Sequence, residues 1–553
     1  MKTKLYLAFI LFSFFVVLSC QTDKDEIDIK TVQLAQKIAD LDFSDTEIDS
    51  MLTALSGARD EYSKLREVEI GNEVVPRLYF DPRPRNFSIP NKQEDIQWQL
   101  SENVELPDHL EELAFYPVSK LAALIKSRKI TSVQLTEMYL NRLKKFGDTL
   151  QCVVSLTEEL ALMQAAKADE EIANGNYRGP LHGIPYGIKD LFAVEGYKTT
   201  WGAASFKDQN IEHTATVVKN LEDAGAVLVA KLTLGALAMG DVWFGGVTKN
   251  PWDLNQGSSG SSAGSASATA AGLVGFAIGT ETWGSIISPS TRCGVTGLRP
   301  TFGRVSRYGA MALSWSMDKI GPIGRNAYDC ALVFNAIRGY DANDPSTTDY
   351  PFNYREKDIA GYKVGYLKSF FDKDYRGQEN DLETLEVLKE MGVALHEVEL
   401  PQDLPVGSMA IILEAEAAAA FDELTRSNSD DELTAQHKYA WPNIFRTARF
   451  IPAVEYIQAS RLRDMLIEEF HQVIKDYDVI VTPSYGGDQL LMTNLTGHPC
   501  VVIPNGFDDE QHPTSISFIG NLYDEATVLN FVKHYQWATD FHQKNPEFFI
   551  PVK

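Results

Sequence analysis

The spacing of apolar positions changes several times along this chain, and each change marks an element. Leu5 to Val17 is a continuous apolar run. From Ile29 to Leu65 apolar residues recur at helical spacing, Val32, Leu34, Ile38 and Leu41 among them, which predicts helix. Pro82, Pro84 and Pro90 then break the pattern. Residues 21–114 therefore read as a helical N-terminal extension expected to pack on the main domain. From Phe115 onward helix and strand signals alternate. Ser132 is the expected N-cap of a helix whose face is Leu135, Met138, Tyr139 and Leu143, reaching Gly147. Thr157 is the expected cap of a second helix, ending near Asn174 and Gly175. Thr214 to Ala224 predicts a helix stopped by Gly225, and Ala226 to Leu232 a buried strand. Such alternation predicts an α/β sheet over residues 115–553.

Between Gly257 and Thr301 the composition shifts to Gly, Ser, Ala and Thr. Composition alone would make this a flexible linker. Leu273, Val274, Phe276, Ile278, Ile286, Ile287 and Val295 are interleaved with the small residues, and a linker has no use for them. The stretch is expected to be closely packed backbone with tight turns and a buried strand.

The apolar run at the start has Lys2 and Lys4 before it and Leu18-Ser19-Cys20 behind it. It reads as a signal-peptide core, too short and wrongly flanked for a membrane span. Its end resembles a bacterial lipobox, and that resemblance implies cleavage before Cys20 and lipidation of the Cys20 thiol. A plain signal peptide, or an uncleaved anchor with a chance cysteine, is the alternative. Residues 1–20 are thus expected to be a lipoprotein signal peptide. The mature protein is then expected on a membrane outside the cytoplasm, and Gln21 favours an outer membrane. The net charge of −25 over 553 residues repels phosphate backbones, so a nucleic-acid partner is not expected. Cys152, Cys293, Cys330 and Cys500 are far apart and form no CxxC pair. They suggest neither a zinc site nor a disulfide framework and read as small buried hydrophobes.

Three local patterns offer chemistry. Gly260-Ser261-Ser262-Ala263-Gly264 fits G-x-S-x-G with Ser262 as an elbow nucleophile. That motif needs a hydrophobic strand in front, and Asn255 to Ser259 does not look like one. A late histidine is available in His498, His512, His534 or His542, so the pattern is weak rather than absent. His396-Glu397 has no second histidine at the H-E-x-x-H spacing. The third pattern runs from Gly257 to Gly309, opening GSSGSSAGS and passing through Gly284-Ser285-Ile286. Upstream stand Gly183-Ile-Pro-Tyr-Gly-Ile-Lys189-Asp190, Ala230-Lys231-Leu232-Thr233 and Asn250-Pro251-Trp252-Asp253. Thr493 to Pro499 and Pro504-Asn505-Gly506-Phe507 close the series.

In this collinear order, over roughly residues 115–545, the chain resembles the amidase signature family. The resemblance implies one large α/β domain, a mixed central sheet covered by helices, after the helical extension. It implies an amide hydrolase with Ser285 as nucleophile, Ser261 as relay and Lys189 as base, and a cis peptide at Gly260-Ser261. The substrate would be a small-molecule or peptide amide, with no metal or organic cofactor. Elementary chemistry agrees with those roles. A serine hydroxyl needs a base, and a lysine serves only when neutral, a state that burial favours. Ile184, Ile188, Leu191 and Phe192 could bury Lys189. On a strand, Asp190 would face the other way. Backbone N–H groups from Thr282, Trp283, Gly284 and Ser285 could meet the developing oxyanion.

The chain departs from the usual Gly-Gly-Ser-Ile-Arg at Trp283 and Ile287. The lead-in Thr280-Glu281-Thr282 is similar to the peptide-amidase-like branch. Trp283 is expected either to wall the substrate pocket or to pack in the core. Two rivals keep the fold and change the role. One is an A-type amidotransferase subunit, which passes ammonia within a complex; an export signal and acidic charge argue against it. The other is a non-catalytic binding protein, against which Lys189, Ser261 and Ser285 argue.

Overall fold

In a computed structural model, residues 27–72, 74–89 and 92–551 are described. Cys20 and the apolar run before it lie outside these residues. Among the described residues no helix is long and apolar enough to cross a membrane.

The chain divides into two compact units. The first comprises the described residues up to Gly71, from residue 27, together with 450–452. Its two helices, Ile29–Gln36 and Asp45–Arg66, pack on each other. Asp28 caps the first by accepting from Thr31 N, and a Ser44/Glu47 capping box opens the second. The helical spacing read from Ile29 to Leu65 is thus realised as two helices with a turn between them. Asp40 turns the chain at φ 51°, and the capping box satisfies the restarted helix. Val32 and Ile48 are the buried apolar residues of these helices, while Leu34, Ile38 and Leu41 stay exposed.

The second unit, Asn72–Arg449 with Ala453–Lys553, holds an 11-stranded mixed sheet among the described residues. Its strands are β1 (Val153–Leu156), β2 (Pro185–Lys189), β3 (Val227–Leu232), β8 (Phe276–Glu281), β9 (Thr296–Arg299), β10 (Lys319–Gly324), β11 (Val364–Tyr366), β12 (Leu395–Glu397), β13 (Val479–Pro483), β14 (Cys500–Phe507) and β15 (Pro513–Gly520). Two small ribbons, β4 (Val242–Trp243) with β5 (Gly246–Val247) and β6 (Lys249–Asn250) with β7 (Asp253–Gly257), stand apart. The order is β1-β3-β2-β8-β10-β9-β14-β15-β13-β11-β12. Pairing is parallel at β3-β2-β8 and β13-β11-β12, and antiparallel elsewhere. The expected α/β fold, a large mixed sheet covered by helices, is what the chain forms.

The covering helices carry their apolar faces onto the sheet. Leu140, Leu143, Phe146 and Leu150 from helix Ser132–Leu150 join Ala161 and Ala165 and the β3 residues Val227, Val229 and Leu232 in one core cluster. Burying side chains of this size contributes about 1.5–3 kcal/mol each. Helices Ala327–Ile337 and Glu525–Thr539 pack on each other and on β9, β10, β14 and β15. The cap of helix 132–150 is Thr131 rather than Ser132: Thr131 and Gln134 form the capping box, and the Ser132 hydroxyl instead donates to Gly183 O at 2.9 Å. Helices Glu158–Ala173 and Thr216–Asp223 and the fully buried β3 follow the predicted pattern.

The described residues of 72–114 in the predicted extension belong to this second unit and form neither α-helix nor strand, only a short 3-10 helix at Leu110–Phe115. Prolines 82 and 84 exclude helix there, and side chains anchor the path instead. Phe80 meets Phe302 edge-on at 5.0 Å and Trp98 stacks on Tyr354 at 5.5 Å. The small-residue stretch is packed, as expected, and helix Ala263–Ala270 is buried throughout. A Cβ on Gly264 would lie 2.5 Å from Thr233 N and 2.6 Å from Cys152 O, so only glycine lets the helix come this close to the neighbouring backbone. Cys152, Cys293, Cys330 and Cys500 are buried and free.

Candidate active site

Lys189 ends β2, a strand buried along its whole length between β3 and β8. Its Nζ donates to Ser261 Oγ at 2.7 Å, Thr280 Oγ1 at 2.8 Å and Ser262 Oγ at 3.1 Å. Three hydroxyls therefore surround the amine. Burial pushes the Lys189 amine well below its ordinary range, against the opposing pull of Asp318 and Glu281. Asp190, next along the chain, faces away as a strand-end neighbour should. It pairs with Lys231 at 2.8 Å and accepts from Thr200 N at 2.9 Å and from the Thr200 hydroxyl. Burial pushes Asp190 up and Lys231 down, toward their neutral forms.

Ser261 and Ser262 precede helix Ala263–Ala270, and the Gly260–Ser261 peptide is cis, as the resemblance implies. Ser262 N donates to Ser285 O at 3.1 Å, which sets the two serine-bearing turns side by side. The Ser262 hydroxyl is fully buried and occupied by Lys189 and by the backbone of Thr280. The residues before it correct one expectation: Asp253–Gly257 is a strand, β7. It belongs to a separate two-stranded ribbon and is not fully buried, so it does not supply the core strand that an elbow nucleophile needs.

Ser285 lies in the turn from β8 to helix Ile287–Cys293. Gly284 sits at φ 90°, a conformation that favours glycine. Ser285 is half-buried, whereas Ser261 is sealed. Glu281 folds back to hold this turn. Its Oε2 accepts from Ile286 N at 2.8 Å and Ile287 N at 2.9 Å, and its Oε1 from Arg299 Nη1 at 2.8 Å and Asn494 Nδ2 at 2.9 Å. Burial pushes the Glu281 carboxyl up, but Arg299 and these donors outweigh it and hold it below its ordinary range. Thr282 donates to Asp318 Oδ1 at 2.5 Å. Trp283 is 45% exposed, so it is not a core residue, while Ile287 in the arginine position is fully buried.

Sequence reasoning missed Glu281 and Thr280 as site residues and read them only as a branch marker. The available signal was an acidic residue at the end of an otherwise buried apolar strand, where a charge needs a reason. Glu281→Ala is expected to lower unfolding stability by about 3–5 kcal/mol in denaturant titration, because Arg299 would be left buried without its carboxylate.

Beside Thr280 and Thr282 opens a cleft. Leu191, Met311, Leu313 and Ile320 line it, with Asp318 and Arg307 among its polar residues.

Residues 134–490 match the Amidase family. The chain is 34% identical, over 78% of its length and 99% of the relative's, to the A-type subunit of the glutamyl-tRNA(Gln) amidotransferase of Coxiella burnetii. Among solved structures it is similar to the native peptide amidase of Stenotrophomonas maltophilia, at 28% identity and TM-score 0.69, covering 78% of this chain and 98% of that one. An amidase family protein from Bacillus anthracis is 26% identical with TM-score 0.70, covering 79% of this chain and 93% of that one. The chain belongs to the amidase family.

Proposed function

We propose that the protein hydrolyses linear amides through an acyl-enzyme on Ser285. One observation carries the reading: a buried lysine whose Nζ donates to three hydroxyls, the nearest being Ser261 at 2.7 Å. Ser285 Oγ attacks the amide carbonyl carbon. Its proton passes to Ser261, whose own proton passes to neutral Lys189. Backbone N–H groups of the turn at Thr282, Trp283, Gly284 and Ser285 face the oxyanion, an interaction for which one donor typically contributes about 2.7–4 kcal/mol. The C–N bond breaks as the proton returns along the same path to the leaving nitrogen, and ammonia or an amine departs. Water then attacks the ester by the same relay and releases the acid. The test is a panel of peptide, fatty, aryl and small aliphatic amides given to the purified protein, with ammonia or amine release measured and acyl-enzyme followed by mass spectrometry. Turnover without any partner supports the reading, and no product from any class overturns it.

The 34% identity to an amidotransferase component supports a second reading, in which the released ammonia is passed to a partner protein. Amide cleavage that occurs only when a partner is added would favour it. The apolar run Leu5 to Val17, which suits an exported protein, and the net charge of −25, which disfavours contact with anionic tRNA, support the hydrolase instead.

The reading includes membrane attachment through Cys20, facing away from the cytoplasm. A lipoprotein carries several acyl chains, which suffices for stable anchoring. A Cys20→Ser variant is expected to leave the membrane fraction or to remain unprocessed. Fractionation and gel mobility identical to those of the unaltered protein would remove the lipid anchor from the proposal.

A further inference from the structure

The cleft beside Thr280 has walls of two origins. Leu191, Met311, Leu313 and Ile320 lie within residues 134–490, the region matched to the family. Asn72 and Val75 also line the cleft, and both precede that region. Asn72 is clamped in place by two bonds to one residue: its Nδ2 donates to Ala312 O at 2.9 Å, and Ala312 N donates to its Oδ1 at 2.6 Å. A carboxamide paired this way imitates strand pairing, so its orientation is fixed as well as its position. The clamp continues inward. Leu313 N and Ser314 N donate to Asp318 Oδ2 at 2.8 and 3.0 Å, and Thr282 donates to Asp318 Oδ1. The N-terminal segment is thereby tied to the turn that carries Ser285.

The polar groups of the cleft are largely occupied by the protein itself. Asp318 is held as above. Arg307 pairs with Asp344 at 3.1 Å and donates to Trp315 O at 2.5 Å and Ser346 Oγ at 2.9 Å. What is left to a ligand is mainly apolar surface, and half-buried Val75 supplies part of it. A cleft of this character suits one apolar group of a small molecule.

We infer that Asn72 and Val75 are specificity-determining residues: the cleft beside Thr280 and Thr282 takes the apolar group of the substrate, and these two residues close one of its walls and select amides whose apolar group fills it. This rests on the amide-hydrolase reading of the site. The test compares the unaltered protein, Asn72→Ala, Val75→Trp and, as a control, Leu78→Ala, whose side chain is exposed. Two series are assayed: primary amides from acetamide to octanamide, and N-alkyl acetamides of matching length. In one of the two series, the preference for the longest member over the shortest in kcat/KM is expected to fall about tenfold or more in Asn72→Ala and Val75→Trp, a scale set by one or two methylenes in an apolar pocket. The loss is expected in KM rather than kcat, with the preference of Leu78→Ala unchanged. Equal loss on all amides, or an unchanged preference in both series, overturns the inference. Should Asn72→Ala not fold, Val75→Trp carries the test alone. Should the unaltered protein cleave no amide, the hydrolase reading fails, and calorimetric binding of octanamide and N-octylacetamide to Ser285→Ala decides the wall separately. Binding weakened about tenfold by Val75→Trp supports it; no binding, or equal binding, overturns it.

Discussion

Ser285→Ala is expected to reduce amide turnover by about a millionfold, the scale of removing the nucleophile from a serine hydrolase, and to abolish labelling by a fluorophosphonate probe. The fold should survive. The Ser285 backbone carbonyl that accepts from Ser262 N is still present in alanine, and the turn keeps its anchor on Glu281 through Ile286 and Ile287. Thermal unfolding should therefore shift little, within the roughly 0.5 kcal/mol typical of substitutions away from structural features. Ser262→Ala makes the contrasting case. The Ser262 hydroxyl contacts Lys189 and both backbone groups of Thr280, so its loss should destabilise the protein by about 1–3 kcal/mol through groups left unpaired, with labelling retained. If Ser262→Ala removes the label and Ser285→Ala keeps it, the elbow arrangement is correct and the proposed mechanism is wrong.

The parts of this fold that were legible in the sequence are those set by short-range pattern. Val227–Leu232 is apolar except for Lys231 and forms a buried strand; Thr216–Asp223 stops at Gly225, which adopts φ 81°. The interleaving of small and large apolar residues after Gly257 separated packed backbone from linker. What escaped was set by partners distant in sequence. Thr131 rather than Ser132 caps its helix because Gly183, far along the chain, engages the Ser132 hydroxyl. Periodicity marked 29–65 as helical without registering the turn at Asp40 that divides it. Glu281 looked like a branch marker, yet its carboxylate gathers Arg299 and Asn494 around the Ser285 turn. The apolar surroundings of Lys189 could be read from its neighbours, whereas the third hydroxyl, Thr280, comes from β8 and becomes visible only when β2 and β8 pair.

Lys189→Ala is expected to lower turnover by about a hundredfold to ten-thousandfold, the usual contribution of a positioned base, and Lys189→Arg is expected not to restore it. The argument begins with the strand. β2 delivers the amine into a fully buried position, where it meets hydroxyls and its neighbour Asp190 is engaged with Lys231 and Thr200. Burial therefore works against the ammonium form, and the Lys189 pKa is lowered. The sign for activity follows: the amine is neutral above its lowered pKa, so kcat/KM should rise as pH climbs through that value and then level off. Stability has a linked signature. Between the lowered folded value and the ordinary lysine value near 10.4, the unfolded chain holds a proton that the folded site does not, so raising the pH favours the folded state. A Lys189→Met variant should lose that share of the slope, seen by subtracting its unfolding free energy from that of the unaltered protein at each pH. Arginine cannot substitute because its guanidinium remains protonated throughout the range. An active Lys189→Arg enzyme with an unchanged pH profile would mean that position 189 contributes only a fixed positive charge, and proton transfer through Ser261 would have to be given up.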